Sequence, residues 1–386
     1  LQSAYDVVVV GARCAGASTA MLLARQGARV LAVDRSAYGS DTLSTLALMR
    51  GGTLQLHRWG VLDAVKRAGT PPIRITSFRY GSEQVDVAIK PKDGIDALYA
   101  PRRTVLDSIL ASAAADAGAD VVHGPRIKDL LRAPDGRVTG VVLLDRDGVA
   151  RQVRAGIVIG ADGQQSPVAQ LVGATPYLTG SHATGVIYGF WRGLRMEGYQ
   201  WYYAPGIGIG GIQTNDGLTC LFVAVPSERF MRELRYDLAS AHQQVLSEMD
   251  PGLAAEVRDS EQEGHLRGFP GRPGYFRRSW GPGWALVGDA GYFKDPFTAH
   301  GITDALRDAE LLSRAVSAGT DAALAEYQAV RDQLSLGLFD VTDRIASFSW
   351  DLATLRDWHR ELSQEMQREV SWMLELDARS TMLAQG

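Results

Sequence analysis

Four consecutive valines, Val7–Val10, run into Gly11, and a β-branched run closed by glycine is the pattern of a strand buried on both faces. Small and aliphatic positions then recur through Ala15–Gln26 (Ala17, Ala20, Met21, Leu23, Ala24), which predicts a helix packed closely on that strand and stopped by Gly27. A second strand follows in Ala28–Arg35 and ends at Asp34. The strand-then-turn pattern returns twice, in Ala155–Ala174 and in Gly283–Leu312, where a helix starts near Gly301.

Between these stretches the period changes. Ile75–Pro91 and His182–Leu194 alternate apolar and polar positions, and Tyr199–Pro226 reads as two strands around an Asn215-Asp216-Gly217 turn. Together they predict an antiparallel sheet. Ser227–Asp250 has a helical period behind a serine cap. Past residue 325 the pattern is helical: Leu352, Leu355, Trp358, Leu362, Met366, Val370 and Met373 recur at spacings of three and four, one apolar face. Packing of that face on the same chain is the expectation, with a dimer surface as the alternative.

With 386 residues the chain has room for two domains, or for one core with an inserted lobe. Hydrophobic residues at 46% and charged residues at 22% suit a soluble globular protein. The net charge of −4 gives no electrostatic footprint for nucleic acid or an anionic membrane. Cys14 and Cys220 are too few for a disulfide framework, and the seven histidines lack metal-ligand spacing, so no metal is expected. No apolar run approaches a membrane span and no secretory pattern precedes the first strand; a cytoplasmic setting is the expectation.

The first turn departs from the G-x-G-x-x-G pattern: Gly11 and Gly16 are present, but Arg13 replaces the middle glycine that lets backbone approach a pyrophosphate. Arg13 suits the role if its side chain turns away, because the helix N-terminus still favours an anion. Asp34 stands about 20 residues on, where the acidic residue of a βαβ unit takes a ribose hydroxyl. Alone, this turn fits a nucleotide site and an ordinary strand–turn–helix equally well. Gly160-Ala161-Asp162-Gly163 and Gly288-Asp289-Ala290 are each explicable as strand-end turns, but three such features in one order are harder to dismiss.

Together with "PRRTVLDSIL" (Pro101–Leu110) and the helix-like Leu48–Val65, these motifs resemble the group A flavoprotein monooxygenase superfamily over about residues 5–315. This para-hydroxybenzoate-hydroxylase-like family also contains flavin-dependent halogenases and geranylgeranyl-reductase-like enzymes. The resemblance implies an α/β fold with three parts. Residues 1–70, 98–175 and 268–330 would form a discontinuous Rossmann-like FAD-binding domain. Residues 71–97 and 176–267 would form an inserted antiparallel-sheet substrate domain, and 331–386 a helical C-terminal region.

Residue by residue, the resemblance implies that Gly11, Ala12, Arg13, Cys14, Ala15 and Gly16 cradle the FAD pyrophosphate through backbone groups. Asp34 would take the adenosine ribose, with Arg35 beside the adenine, and Ile127 would also contact the cofactor. Arg103 would approach the phosphates or ribityl chain. Asp162 and Gly163 would order the loop beneath the pyrophosphate, and Gly288 and Asp289 would meet a ribityl hydroxyl. Pro296, Ala299, Gly301 and Ile302 would surround the flavin pyrimidine, where a helix N-terminus stabilises negative charge. The chain also departs from the family pattern. Ala299 and His300 stand at positions often Gly and Gln, Tyr292 where His is common, and Ala169 where Arg often follows the Asp-Gly motif.

The implied activity is that of a FAD-dependent monooxygenase, which passes one oxygen atom of dioxygen through a flavin C4a-hydroperoxide to a small hydrophobic or aromatic substrate. Polyketide-like compounds belong to that range. NADPH or NADH, or reduced flavin from a separate reductase, would supply electrons, and the chain would act as a monomer or homodimer. A flavin-dependent halogenase, a prenyl-chain or ene reductase and a non-catalytic flavoprotein are the alternatives. The W-x-W-x-I-P signature of the halogenases is absent, and Lys294 does not stand at their lysine position. His300 is either an acid/base residue suited to neutral pH or a local hydrogen-bonding replacement for glutamine. Of the aromatics Phe190, Trp191, Trp201, Tyr202 and Tyr203, the candidates for a substrate wall are Trp191, Trp201 and Tyr203, with plain core packing as the alternative.

Overall fold

The computed structural model describes residues 2–383, with side chains through Leu376. Its first sheet has eight strands. Trp280–Gly281, Trp284–Leu286, Ala150–Gly160, Ala4–Val10, Val30–Asp34 and Asp120–His123 lie side by side, and Val138–Leu144 joins Arg126–Arg132 to Ala150–Gly160. Ala4–Val10 is central and parallel to both neighbours. Val7 and Val9 pack under the helix Cys14–Arg25, while Val8 and Val10 pack against the Val138–Leu144 layer. Both faces being covered is why this strand is valine throughout.

The second sheet has seven strands, in the order Glu261–Phe269, Thr184–Arg192, Leu218–Pro226, Ile207–Gln213, Tyr199–Ala204, Ile75–Tyr80 and Glu83–Ala88. It is antiparallel except where Tyr199–Ala204 runs parallel to Ile75–Tyr80, the pairing that unites two distant stretches of chain. Tyr199–Pro226 forms three strands rather than the expected two. The Asn215–Gly217 turn is present, but Pro205-Gly206 makes a second hairpin, with Gly206 at φ +74°. Ser227–Asp250 is likewise not one helix. Ser227 bonds to the Pro270 carbonyl, and Asp237 accepts the Ala239 and Ser240 N–H groups to start a new helix, Leu238–Met249. A three-stranded sheet (Tyr292–Phe293, Tyr275–Arg277, Pro176–Thr179) completes the strands described here.

Strand alternation gives the seven-stranded sheet two different faces. Val186, Tyr188, Phe190, Tyr199, Trp201 and Tyr203 point to one side, and Ile187, Trp191 and Tyr202 lie under the helices Leu238–Met249 and Pro251–Asp259 on the other. The first side is closed by the turn Pro296–Thr298 and by the helices Asp321–Ala346 and Leu352–Leu383. Helix Leu352–Leu383 packs on the same chain, as expected: Leu355 and Leu362 join the sheet core, and Met373 and Leu376 join the core of the eight-stranded sheet. Among the described residues no helix is long and apolar enough to cross a membrane.

Candidate flavin site

The first turn is held by backbone contacts that leave no room for side chains. Gly11 has φ +102°, and a Cβ there would stand 2.3 Å from the Ala161 carbonyl oxygen. A Cβ on Gly16 would stand 1.8 Å from the Gly11 carbonyl oxygen. Asp34, buried at the end of its strand, accepts the Ala12 N–H at 2.9 Å and the Ser36 N–H at 2.8 Å. Helix Cys14–Arg25 begins with neither a side-chain cap nor an acidic residue in its first turn. Its leading N–H groups are therefore open to an anion.

Arg13 explains how the middle glycine is dispensed with. Its backbone, at φ −95° and ψ −162°, is extended and open to any residue. Its guanidinium turns away to Asp107 at 3.0 Å and to Ser40 and the Asp41 carbonyl. Asp107 also accepts three hydrogen bonds from Arg103 on the same helix and one from the Cys14 thiol. Sequence reading passed over Asp107, although its place four residues after Arg103 on a helix was a usable signal. Burial pushes the Cys14 thiol up, so it is an inert donor.

The later motifs converge on this turn. Asp162 accepts the Ser166 hydroxyl at 2.5 Å and the Val168 N–H at 3.0 Å, which fixes the Ala161–Gly163 loop against Gly11. A Cβ on Gly288 would meet the Ala15 side chain at 2.9 Å. Burial pushes the Asp289 carboxyl up to about 6 against the opposing pull of Arg103. Beyond it, Asp295 accepts the Phe297 N–H and, across to the seven-stranded sheet, the Thr184 N–H at 2.7 Å. This seats the Phe297 ring over Gly208, where a Cβ would stand 2.3 Å from it. Ala299 lies in the left-handed region at φ +52°, and His300 opens the helix Gly301–Ala318, whose start has no side-chain cap.

Beneath this turn lies a buried set of charges. Lys294 pairs with Asp304, and Arg307 bonds to Asp304 at 3.1 Å, Asp308 at 2.7 Å and Glu369 at 2.6 Å. His300 Nε2 donates to Glu369 at 2.8 Å. Burial alone would raise the Glu369 carboxyl, but His300 and Arg307 outweigh it and hold it at about 2. His300, Asp304 and Glu369 bring donor atoms within 4.8 Å of one another, a spacing a metal could use. Lys294 and Arg307 already neutralise those carboxylates, so an added dication would meet two cations.

An FAD binding domain model matches residues 4–189. Menaquinone reductase of Mycolicibacterium smegmatis is 28% identical over 368 residues, 88% of this chain and 83% of that protein. Squalene epoxidase erg1 of Schizosaccharomyces pombe is 26% identical over 354 residues, 86% and 73% of the two chains. A triple-mutant form of the flavin-dependent brominase Bmp2 has the same fold, with a TM-score of 0.78, 18% identity and 94% of each chain covered. The chain thus carries an FAD binding domain over residues 4–189 and is similar over most of its length to oxidoreductases.

The residues of this flavoenzyme fit FAD. Two uncapped helix starts can take negative charge, and a Cβ on Gly301 would have no atom within 4 Å, so space opens at the second of them. Beside Asp34 runs a groove lined by Ala12, Tyr38, Ser108 and His123. Arg35 and Ile127 are not among the residues that line it. Arg35 follows the last residue of its strand and is exposed, while Ile127 pairs with Leu143 and is half-buried against the core. Trp201 and Tyr203 face the turn, with Tyr203 and Phe297 ring centres 5.9 Å apart. Trp191 does not share their face, a correction to the sequence reading. Alternation turns it to the far side, where it stacks on His242 at 5.0 Å. Phe348, at 5.0 Å from Phe297, and His359, at 4.8 Å from Tyr203, complete the near face. Both come from the C-terminal region; His359 falls on the apolar face of its helix, four residues after Leu355, but periodicity did not tell what that face meets.

Proposed function

We propose that this flavoenzyme is a monooxygenase that inserts one oxygen atom of dioxygen into an apolar, ring-bearing organic substrate. The substrate would lie between the seven-stranded sheet and the turn Pro296–Thr298. The observation that supports this is the aromatic face of Trp201, Tyr203, Phe297 and Phe348, which lies directly on that turn and offers stacking surface and little water. Residues 1–70, 98–175 and 268–330 act as the FAD-binding domain, 71–97 and 176–267 as the substrate domain, and 331–386 as the helical cover.

Bound FAD would supply the activation of dioxygen, with electrons from NADPH, NADH or a separate reductase. The chain's own part is placement. The start of helix Cys14–Arg25 and Arg103 would hold the diphosphate, and Asp34 and Asp289 would accept hydrogen bonds from hydroxyls of the ribose and ribityl chain. The start of helix Gly301–Ala318 stabilises negative charge at the pyrimidine end. Lys294 is consumed by Asp304, which speaks against a halogenase using this lysine.

Likeness to menaquinone reductase over 88% of the chain, and to digeranylgeranylglycerophospholipid reductase 1 of Methanopyrus kandleri over 78%, favours one second reading, reduction of a prenyl compound. Anaerobic reduction with NADPH, followed by isotopically heavy dioxygen and a panel of polycyclic and prenylated compounds, separates the two. A product carrying one heavy oxygen atom supports the monooxygenase. A product that gains two hydrogens without oxygen overturns it in favour of the reductase.

A further inference from the structure

The charge cluster beneath the turn leaves several buried polar atoms without a partner, Tyr292 Oη, Thr303 Oγ1 and Asp308 Oδ2 among them, and one belongs to the histidine at the start of the helix. His300 is 1% exposed and its Nε2 is bonded to Glu369, yet Nδ1 has no partner. A buried polar atom left unsatisfied costs about 1–3 kcal/mol. The cations beside the ring are engaged elsewhere. Lys294 holds Asp304, Arg307 holds Asp304, Asp308, Glu369 and Ser335, and the Tyr292 ring lies against both cations. The ring also stands where helix Gly301–Ala318 begins uncapped and where space opens at Gly301. A carboxylate behind a histidine fixes both the ring's orientation and the nitrogen left free.

We propose that Glu369 is a positioning residue for the cofactor: by holding His300 Nε2, it directs Nδ1 to a polar atom of the bound flavin. The C-terminal helix thereby completes a site otherwise built from motifs that end near residue 302. Like the proposed function, this rests on the turn being the flavin end of the FAD site. Glu369 lies outside the matched FAD-binding segment, 4–189, and acts only through the histidine.

The test compares FAD affinity, the visible absorbance of bound FAD and thermal stability in the full chain. Glu369→Gln and His300→Ala should each weaken FAD about tenfold, the worth of one buried hydrogen bond, and shift the flavin absorbance bands. The double variant should be no worse than the poorer single one, because the two residues act as a unit. Asp308→Asn serves as the control: it takes a carboxylate from Arg307 but none from His300, and should lower the melting temperature while leaving FAD affinity within about twofold. In isotope-labelled histidine NMR, the His300 Nδ1 signal of the FAD-free protein should move when FAD is added. The inference is overturned if Glu369→Gln behaves like Asp308→Asn, if the two single effects add, or if the Nδ1 signal stays in place. A wild-type chain that takes up no FAD overturns the reading beneath it instead, and that outcome is distinct from all three.

Discussion

Glu369 and His300 stand 69 positions apart in sequence, yet the imidazole Nε2 donates a 2.8 Å hydrogen bond to the Glu369 carboxylate in the protein interior. The contact joins the C-terminal helix to the turn that precedes helix Gly301–Ala318. The same helix reaches the seven-stranded sheet through His359, which shares a 2.7 Å hydrogen bond with the Tyr80 hydroxyl. Burial holds His359 down at about 3, so this anchor is uncharged at neutral pH. One helix thus braces both sheets, and its integrity bears on the cofactor as well as on the fold.

Gly16→Ala places a methyl group 1.8 Å from the Gly11 carbonyl, where only backbone could yield. The displaced turn should lower FAD affinity at least about tenfold, the scale of one lost backbone contact to the phosphates. FAD titration of the apoprotein reads this directly. Unchanged affinity would mean that the diphosphate does not sit on this turn.

Arg13→Ala should behave quite differently, because the Arg13 side chain points away from the cradle and its backbone is ordinary. Asp107 keeps Arg103 and Cys14 as partners, and the Arg13 head is a quarter exposed. The expected cost is below about 1 kcal/mol in stability, with FAD affinity little altered. Denaturant titration and FAD binding together check it, and a collapse of FAD binding would show that the guanidinium itself meets the phosphates.

Ala299 occupies the left-handed region at φ +52°, where a non-glycine residue carries about 1 kcal/mol of strain. Ala299→Gly removes the strain but frees the unfolded chain, which offsets about 0.5–1 kcal/mol of it. The net expectation is no loss and a gain of up to about 0.5 kcal/mol. A clear drop in melting temperature would mean that the Ala299 methyl packs usefully against the aromatic face.

Stability of the FAD-free protein should fall as pH rises from about 4 to about 7, on the ordinary titration range of a carboxyl and its shift here. Burial pushes the Asp289 and Asp295 carboxyls up to about 6. The folded state therefore keeps protons that the unfolded chain has released, and the benefit disappears as pH passes through the raised values. Each group contributes a slope of about 1 kcal/mol per pH unit near its midpoint. Glu369, held at about 2, works in the opposite sense and costs stability only as pH falls below its ordinary range. Asp289→Asn should flatten the decline, and denaturant titrations at mildly acid and neutral pH measure it. Equal slopes in both proteins would contradict this assignment.

The two faces of the seven-stranded sheet separate by mutation. Trp191→Phe should lower the melting temperature through lost packing on His242 and leave flavin spectra and substrate affinity alone. Trp201→Phe alters the face beside the turn and should shift ligand affinity about three- to tenfold, within the range of one aromatic contact. An equal response from both would dismiss the assignment of substrate to the near face.

Local pattern determined the parts of this protein that depend on neighbours in sequence. The Val7–Val10 strand, the glycine turn ending at Gly16, Asp34, the Asp162 loop and the Gly288-Asp289 turn all follow from β-branched runs and small residues within a few positions. The apolar face of the C-terminal helix was equally legible. Tertiary structure decided what depends on which strands pair and how they twist. Pairing of Tyr199–Ala204 with Ile75–Tyr80 sets which aromatic residues face the turn, and a one-residue alternation sent Trp191 to the opposite side from Trp201. The pairing of its strand with Leu143 sets Ile127 half-buried against the core of the eight-stranded sheet. Glu369 and His359 reached the site only through the docking of a helix far along the chain, a contact that no local periodicity encodes, since periodicity tells which face is buried but not what it is buried against.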